Sequence, residues 1–176
     1  MAYKALVPSL ILTFALMLSP GSADENPATL SIEADNGRVL GSFSQAQLRN
    51  AFPQHDLATA TPWSPNGEVL HFRGPYLAEV LQRFNLTGSD IEAKAADDYV
   101  ATLAASDINT YNPLIAIDTA CANAEPACVD GFKPLDVEHS GPFYIVWPLA
   151  QFPAYYQETK NTLWIWFVTH LRPVEK

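Results

Sequence analysis

The chain has 176 residues, enough for one domain with a substantial hydrophobic core. It carries 19 Asp and Glu against 10 Lys and Arg, for a formal net charge of −9. Binding to nucleic acid depends on clustered cations that neutralise phosphates, so this balance argues against a nucleic-acid partner. It also disfavours an anionic membrane surface, and the aromatic residues spread through the chain argue against a disordered tail.

The first residues have the pattern of an export signal. Lys4 provides a positive start, a mostly apolar stretch follows up to Leu18, and small residues precede a cleavage point after Ala23. We therefore predict a cleaved signal peptide over residues 1–23 and a single domain over residues 24–176, located in the periplasm. A spanning helix needs about 20 apolar residues. No other stretch is long enough, so we expect no transmembrane segment in the mature chain; a retained N-terminal anchor is the alternative.

The next segment predicts a hairpin followed by a helix. Residues 29–34 alternate apolar and polar, and a turn at residues 35–37 leads into a second strand. Ser44 lies three residues before Gln47, which is the spacing of a capping box, and Pro53 ends the predicted helix.

The rest of the chain predicts mostly strands. Pro75 at a first helical position, with apolar residues at intervals of three and four up to Phe84, predicts a second helix. Residues 163–168 are apolar at odd and even positions alike, which predicts a central strand covered on both faces. Further short strands are predicted at residues 57–61, 69–72, 91–95, 99–104, 113–118, 132–137 and 142–147. We therefore predict an α+β, mostly β single domain with two or three short helices.

Cys121 and Cys128 are the only cysteines of the sequence. In an oxidising compartment an even number of cysteines is first interpreted as a disulfide. The intervening residues are polar and include a proline, as expected of an exposed loop. A catalytic redox pair is the alternative, although the spacing is not C-x-x-C.

Several short motifs occur in a characteristic order. They are Thr61-Pro62-Trp63, Phe72-Arg73-Gly74-Pro75-Tyr76-Leu77, Asp97-Asp98-Tyr99, Pro113-Leu114-Ile115-Ala116, Lys133-Pro134-Leu135 and the segment from His139 to Pro148. In this order the chain resembles the oxidoreductase molybdopterin-binding domain, the fold of the sulfite oxidase family. The resemblance covers nearly all of the predicted mature chain and is closest to the small exported single-domain members. It implies a sulfite oxidase-like fold and a cofactor site.

The resemblance also implies which groups such a site would use. Catalytic members of the family anchor molybdenum through a cysteine thiolate, a soft ligand that suits the metal. That cysteine belongs near residues 61–63, where this chain has none. The family's arginine after the glycine–proline pair is replaced by Tyr144, and Lys160 is only near the position of a basic residue that holds the pterin. The resemblance thus implies a retained fold whose molybdenum-ligating cysteine is lost.

Three other features are candidates for ligand or partner contacts. His139, at the position that the family places near its cofactor, could bond an anionic ligand or a backbone carbonyl. Arg73 could grip a carboxylate or phosphate near a helix N-terminus, or pair with one of the many acids. Residues 152–156, predicted to be a loop, could line a pocket, form a partner surface, or pack in the core. The sequence has no motif for zinc, nucleotide or acyl-transfer chemistry.

The leading hypothesis is an exported protein that binds a small anionic ligand, or presents that ligand to a membrane sensor or redox protein, with no cofactor expected. Its pocket is predicted to contain Thr61, Trp63, Arg73, His139 and Tyr144. The alternative is a molybdopterin-dependent oxidoreductase with a non-cysteine metal site, for which Thr61 or Ser64 could supply an oxygen ligand. A third possibility is a structural subunit that docks through residues 152–156, so the sequence leaves open whether the protein is an enzyme.

Overall fold

The computed structural model describes residues 29–122, 128–159 and 161–174. The predicted signal peptide and Lys160 lie outside the described residues. No helix among the described residues is long and apolar enough to cross a membrane. The α-helices of the described chain are α1 (Gln45–Ala51), α2 (Leu77–Arg83), α3 (Ala105–Tyr111) and α4 (Ala154–Thr159).

Strands make up the larger part of the regular structure. They are β1 (Leu30–Glu33), β2 (Val39–Phe43), β3 (His55–Thr59), β4 (Leu70–Gly74), β5 (Ile91–Ala95), β6 (Val100–Leu103), β7 (Leu114–Ala116), β8 (Asp118–Ala120), β9 (Phe132–Pro134), β10 (Tyr144–Val146) and β11 (Val168–Pro173). The prediction of a mixed α+β, mostly β single domain is confirmed at this level.

The larger sheet has five strands in the order β2-β1-β11-β5-β6. β1 and β11 pair in parallel, with Ser31 opposite His170, and the other neighbours are antiparallel. The alternation of β1 places Leu30 and Ile32 on the buried face with no exposed surface. The first and the last strand of the described chain thus meet near the middle of one sheet.

A second sheet has four antiparallel strands in the order β3-β4-β8-β9, and β7 pairs with β10 beside it. The junction lies at Gly74, where a Cβ atom would collide with the carbonyl of Ile115. On either side of this junction the Ile115 N–H donates to Pro75 O at 2.9 Å and the Ile117 N–H donates to Arg73 O at 2.9 Å. A residue without a side chain is required there because two backbones pass within contact distance.

The first two predicted helices are present. Ser44 Oγ accepts from the Gln47 N–H at 3.2 Å, and the Ser44 N–H donates to Gln47 Oε1 at 2.8 Å, which completes the predicted capping box. The second helix begins at Leu77 rather than at Pro75. Helix α3 has no sequence signal of its own, since its N-cap is Ala104, which offers no capping side chain.

Two local predictions were wrong. Residues 163–168 do not form one strand: a 3₁₀ turn covers Asn161–Leu163, β11 begins only at Val168, and Ile165 makes a single bridge to Ile145. The apolar run is instead an irregular segment in which Leu163, Trp164 and Ile165 are buried and Trp166 is partly exposed. Residues 152–156 are not a loop throughout, because α4 begins at Ala154.

The disulfide between Cys121 and Cys128 is formed, as predicted. It joins Cys121, directly after β8, to Cys128. The next residue, Val129, makes an isolated bridge to Phe132. The residues between, 123–127, lie outside the described part of the chain. The pairing of the two cysteines accounts for both thiols of the sequence.

Candidate functional site

Two concave regions contain residues that the sequence singled out. The first, the tryptophan pocket, has a volume of about 260 Å³ and is lined chiefly by Trp63, Asp97, Tyr99, Trp164, Trp166 and Phe167. The second, the paired-charge cleft, has a volume of about 700 Å³ and is lined by Arg49, His55, Asp56, Arg73, Asp118 and Phe132 among others. The smaller region differs from the larger one in being mainly aromatic.

The tryptophan pocket has two partly exposed indole walls. Trp63 is 49% exposed and Trp166 is 38% exposed, although both are large apolar side chains. Their ring centroids are 4.9 Å apart and their planes are inclined at 63°. This edge-to-face contact is a favourable arrangement for aromatic rings, and it leaves the two faces at an angle rather than in one plane.

A tight turn holds Trp63 in place. The Thr61 N–H donates to Ser64 Oγ at 2.9 Å, the Ser64 N–H donates to Thr61 O at 3.0 Å, and the two hydroxyls are 3.2 Å apart. The Trp63 N–H donates to Thr61 Oγ1 at 3.3 Å. Thr61 is buried and therefore acts as a fixed anchor for the turn that presents Trp63.

The floor of the pocket is formed by Trp164, which is only 3% exposed. Its indole Nε1 is buried and has no hydrogen-bond partner among the described residues. An unsatisfied buried donor of this kind costs about 1–3 kcal/mol. The Tyr99 hydroxyl donates to the Thr162 carbonyl at 3.0 Å and ties the end of the β5–β6 hairpin to the segment before Trp164.

Phe167 adopts a backbone conformation that bulky residues avoid. Its φ is +55°, in the left-handed region, which costs on the order of 1–3 kcal/mol for such a residue. Its N–H donates to Ser140 O at 3.4 Å, and its carbonyl accepts from the Ala96 N–H at 2.9 Å. These contacts fix the reversal that brings Trp166 out of the core just before β11, and backbone strain of this kind is concentrated at functional sites.

Tyr144 supports the pocket from behind. It is buried, with its ring 6.3 Å from that of Trp166 and 5.7 Å from that of Phe72. Burial raises the pKa of the Tyr144 phenol well above its usual value, and hydrogen bonding with the Trp166 side chain offsets part of that rise. The phenol is therefore neutral at physiological pH and acts as a support for Trp166 rather than as an acid or base.

Asp97 is the charged residue of the tryptophan pocket. Its Oδ1 accepts from the Tyr99 N–H at 3.2 Å, and in the described chain no basic side chain either lines the pocket or pairs with it. Lys94, nearby on β5, pairs instead with Asp98 at 3.1 Å. Lys160, a sequence neighbour of Asn161 at the pocket rim, is outside the described residues. The described lining is therefore aromatic and acidic.

The paired-charge cleft has a different character because its arginines are already paired. Arg73 donates to Asp56 through Nε at 2.6 Å and through Nη2 at 3.0 Å, and its guanidinium lies 3.7 Å from the centroid of the Phe132 ring. The hydrogen bonds lower the pKa of Asp56 and raise that of Arg73. Arg73 therefore forms the ion pair that the sequence analysis gave as the alternative to anion binding.

Arg49 is engaged in the same way. Its Nη2 donates to Asp118 Oδ1 at 2.6 Å and its Nε donates to Asp118 Oδ2 at 3.2 Å, while the Asp118 side chain is only 7% exposed. His55 faces Glu79 with both carboxylate oxygens 3.0 Å from its Nε2 and stacks on Tyr76 at 4.0 Å. An incoming anion would have to displace the Asp118 carboxylate from Arg49 or the Asp56 carboxylate from Arg73.

His139 lines neither region. It ends the 3₁₀ turn Val137–His139, and its Nδ1 is 2.6 Å from Oδ1 of Asp136, the residue that caps this turn. The hydrogen bond to His139 lowers the pKa of the Asp136 carboxyl. The peptide bond between Gly141 and Pro142, which follows, is cis.

The five residues predicted to share a pocket are thus distributed over the structure. Trp63 lines the tryptophan pocket, and Thr61 and Tyr144 hold its walls. Arg73 lines the paired-charge cleft. No sequence pattern pointed to Asp97, Tyr99, Trp164 or Trp166 as site residues. Trp164 and Trp166 were predicted to lie in a strand, and the sequence signal for the irregular segment that they occupy is weak.

The donor groups near Thr61 do not provide a thiolate that could anchor a metal ion. Both cysteines are in the disulfide, and the Thr61 and Ser64 hydroxyls are used in the turn that they form together. In the described part of the chain, no group of three or more His, Cys, Asp or Glu side chains is arranged to hold a metal ion. Soft-ligand chemistry of that kind needs a thiolate that this site lacks.

Comparison with known proteins gives no family assignment. No protein-family model matches the chain, and no curated protein matches it significantly.

Proposed function

We propose that this chain is an exported binding protein whose ligand occupies the tryptophan pocket. The observation that supports this most directly is the arrangement of Trp63 and Trp166, two large aromatic side chains that remain partly exposed while fixed at a defined angle. Exposed aromatic surfaces with a defined shape are characteristic of ligand sites, because they bury much area with little loss of conformational freedom.

Three further features support a binding pocket over an accidental depression. The turn of Thr61 and Ser64 fixes one wall, the strained backbone at Phe167 fixes the other, and Trp164 forms a floor with an unmet hydrogen-bond donor. Each of these features carries a cost in stability or a dedicated set of hydrogen bonds. Costs of this kind are concentrated where a protein uses its surface.

The proposed scaffold is the sulfite oxidase-like fold, used without its metal. The ordered motifs of the sequence support this assignment, and the mixed sheet architecture is compatible with it. The tryptophan pocket includes Trp63 from the segment where the family carries its cysteine. Binding of an anion, the first hypothesis from the sequence, is disfavoured in this pocket because its charged group is Asp97 and both arginines of the cleft are paired.

The experiment is a ligand screen on the full chain as exported by its host. Small molecules grouped by charge are tested for an increase in the unfolding temperature, and hits are titrated by calorimetry. Trp63→Ala is expected to weaken binding at least about tenfold, since the contact between one aromatic ring and a ligand contributes about a factor of ten to affinity. Tyr155→Ala, which removes an exposed aromatic side chain on α4 that does not line the tryptophan pocket, is the matched control.

Equal losses in both variants would contradict the assignment of the site. Elemental and pterin analysis of the same preparation tests the alternative of a molybdopterin-dependent oxidoreductase. We expect neither component in the protein when a control enzyme from the same host is fully loaded. About one molybdenum and one pterin per chain would overturn the proposal and make the anchoring group the next question.

A further inference from the structure

We infer that the ligand of the tryptophan pocket is a small methylated ammonium cation, an inference that rests on the proposed binding function. The walls provide the first argument. Trp63 and Trp166 both line the pocket with partly exposed indole rings, whose planes are inclined at 63°. Tyr99, 40% exposed, adds a third ring to the lining. Aromatic rings at an angle around one point form a cage for a compact cation, which is attracted to the negative faces of the rings.

The shape favours a cation over a sugar. A sugar ring stacks on a flat aromatic face and needs several hydrogen-bonding partners at its edge. The two indoles here form a corner rather than a platform, and the carbonyl of Thr162 is already used by the Tyr99 hydroxyl. A methylated ammonium group needs few or no hydrogen-bond acceptors, so it loses little when it enters a corner lined by aromatic rings.

The charge of the pocket also favours a cationic ligand. Asp97 lies at the turn of the β5–β6 hairpin, where the Tyr99 N–H holds its carboxylate at 3.2 Å. Across the described residues no ion pair neutralises Asp97, whereas the adjacent Asp98 pairs with Lys94. The whole chain carries a net charge of −9, which raises the local concentration of cations and lowers that of anions.

The size limits the ligand to a few heavy atoms around the ammonium group. The pocket has a volume of about 260 Å³, which is just below the usual range of about 300–1,000 Å³ for small-molecule sites. Choline and tetramethylammonium are therefore suitable probes. A neutral isostere, 3,3-dimethylbutan-1-ol, has the shape of choline with carbon in place of the charged nitrogen.

The experiment compares these probes on the full chain at constant ionic strength. Binding is measured by calorimetry and by the four indole N–H resonances in ¹⁵N-labelled protein. We expect choline to bind at least about tenfold more tightly than its isostere. Resonances of Trp63, Trp164 and Trp166 should shift, while that of Trp147, whose Nε1 donates to the Leu163 carbonyl at 2.9 Å in the core, should move least.

A pair of neighbouring variants separates charge recognition from a general effect of acidity. Asp97→Asn is expected to weaken choline binding about fivefold and to leave the affinity for the isostere unchanged. Asp98→Asn removes the same charge one residue away, on a carboxylate that pairs with Lys94, and should change choline affinity less than twofold.

The outcomes separate this inference from the function on which it rests. If the isostere or an anion binds as tightly as choline and shifts the same three indole resonances, the pocket is a ligand site and the cation preference is wrong. If no probe and no member of the screened set shifts these resonances, both the inference and the proposed function fail.

Discussion

Trp63 and Trp166 come from distant parts of the chain, yet their ring centroids lie 4.9 Å apart. Trp63 follows β3 and Trp166 precedes β11, so the contact connects the four-stranded sheet to the five-stranded sheet. The two rings are partly exposed, whereas Trp147 is fully buried. Trp147 therefore belongs to the core, Trp63 and Trp166 form exposed walls of the pocket, and the buried Trp164 connects the two regions.

This division predicts unequal effects of truncation on stability. Trp147→Ala is expected to lower the free energy of unfolding by about 4 kcal/mol, because it creates a cavity and leaves the Leu163 carbonyl without its donor. Trp63→Ala should lower it by only about 1 kcal/mol, the value of one aromatic contact. Urea denaturation followed by circular dichroism measures both, and similar losses would place Trp63 in the core.

Even a methyl side chain at position 74 is expected to lower the free energy of unfolding strongly. In Gly74→Ala the new Cβ would collide with the carbonyl of Ile115, and backbone cannot move aside as a side chain can. We expect a loss of about 3 kcal/mol in the free energy of unfolding. Gly41→Ala is the matched control, since its new Cβ would meet the tip of the partly buried Phe84 side chain, which can shift more readily than backbone can. Equal losses in the two variants would contradict the tight backbone approach at Gly74.

The Arg49–Asp118 pair predicts strong coupling between two substitutions. Asp118 is almost fully buried, so removing Arg49 leaves a carboxylate with little access to water. Arg49→Ala is expected to cost about 2 kcal/mol, and the double variant with Asp118→Ala should cost clearly less than the two single losses together. A double-mutant cycle by thermal and chemical denaturation measures the coupling. Additive losses would indicate that the pair contributes nothing specific.

The Asp56–Arg73 pair predicts a dependence of stability on pH. Hydrogen bonding from Arg73 lowers the pKa of Asp56 in the folded protein. The stabilisation is therefore fully present above the unfolded pKa, near 3.8, and is lost as the pH falls through the lower folded pKa. Asp56 is largely exposed, so the contribution should not exceed about 1 kcal/mol.

The measurement is the difference in unfolding free energy between the wild-type protein and Asp56→Asn from pH 7 to pH 2. We expect this difference to shrink at the acidic end, while Glu68→Gln, a control at an exposed acidic position, should give a difference that changes less. Subtracting the variant also removes the effect of Asp136, whose pKa is lowered by His139 in the same range. A constant difference would show that Asp56 titrates alike in both states.

Local chemistry made part of this fold predictable. The capping box of Ser44 and Gln47 and the turn at residues 35–37 depend on neighbouring residues, and both are present. The run at residues 163–168 was misassigned because an apolar run is compatible with a central strand and with a buried irregular segment alike. What distinguishes the two is the left-handed backbone at Phe167, which its sequence does not suggest.

The site was harder to predict than the fold because its contacts depend on register and on long-range packing. Asp56 and Arg73 are directly opposite each other only because β3 and β4 pair with one particular register. A sequence with 19 acidic residues offers many equally plausible partners for Arg73. The same holds for Trp63 and Trp166, whose meeting requires the two sheets to be placed first.

The parallel pairing of β1 with β11 constrains the order in which the molecule can assemble. A chain emerging from a ribosome or a translocation channel delivers β1 first and β11 after every other strand of the larger sheet. Until then β1 has only its hairpin partner, and a two-stranded hairpin is marginally stable in water. The larger sheet therefore closes only after nearly all of the described chain has emerged. A nascent chain stalled before Val168 would remain susceptible to proteases and accessible to chaperones.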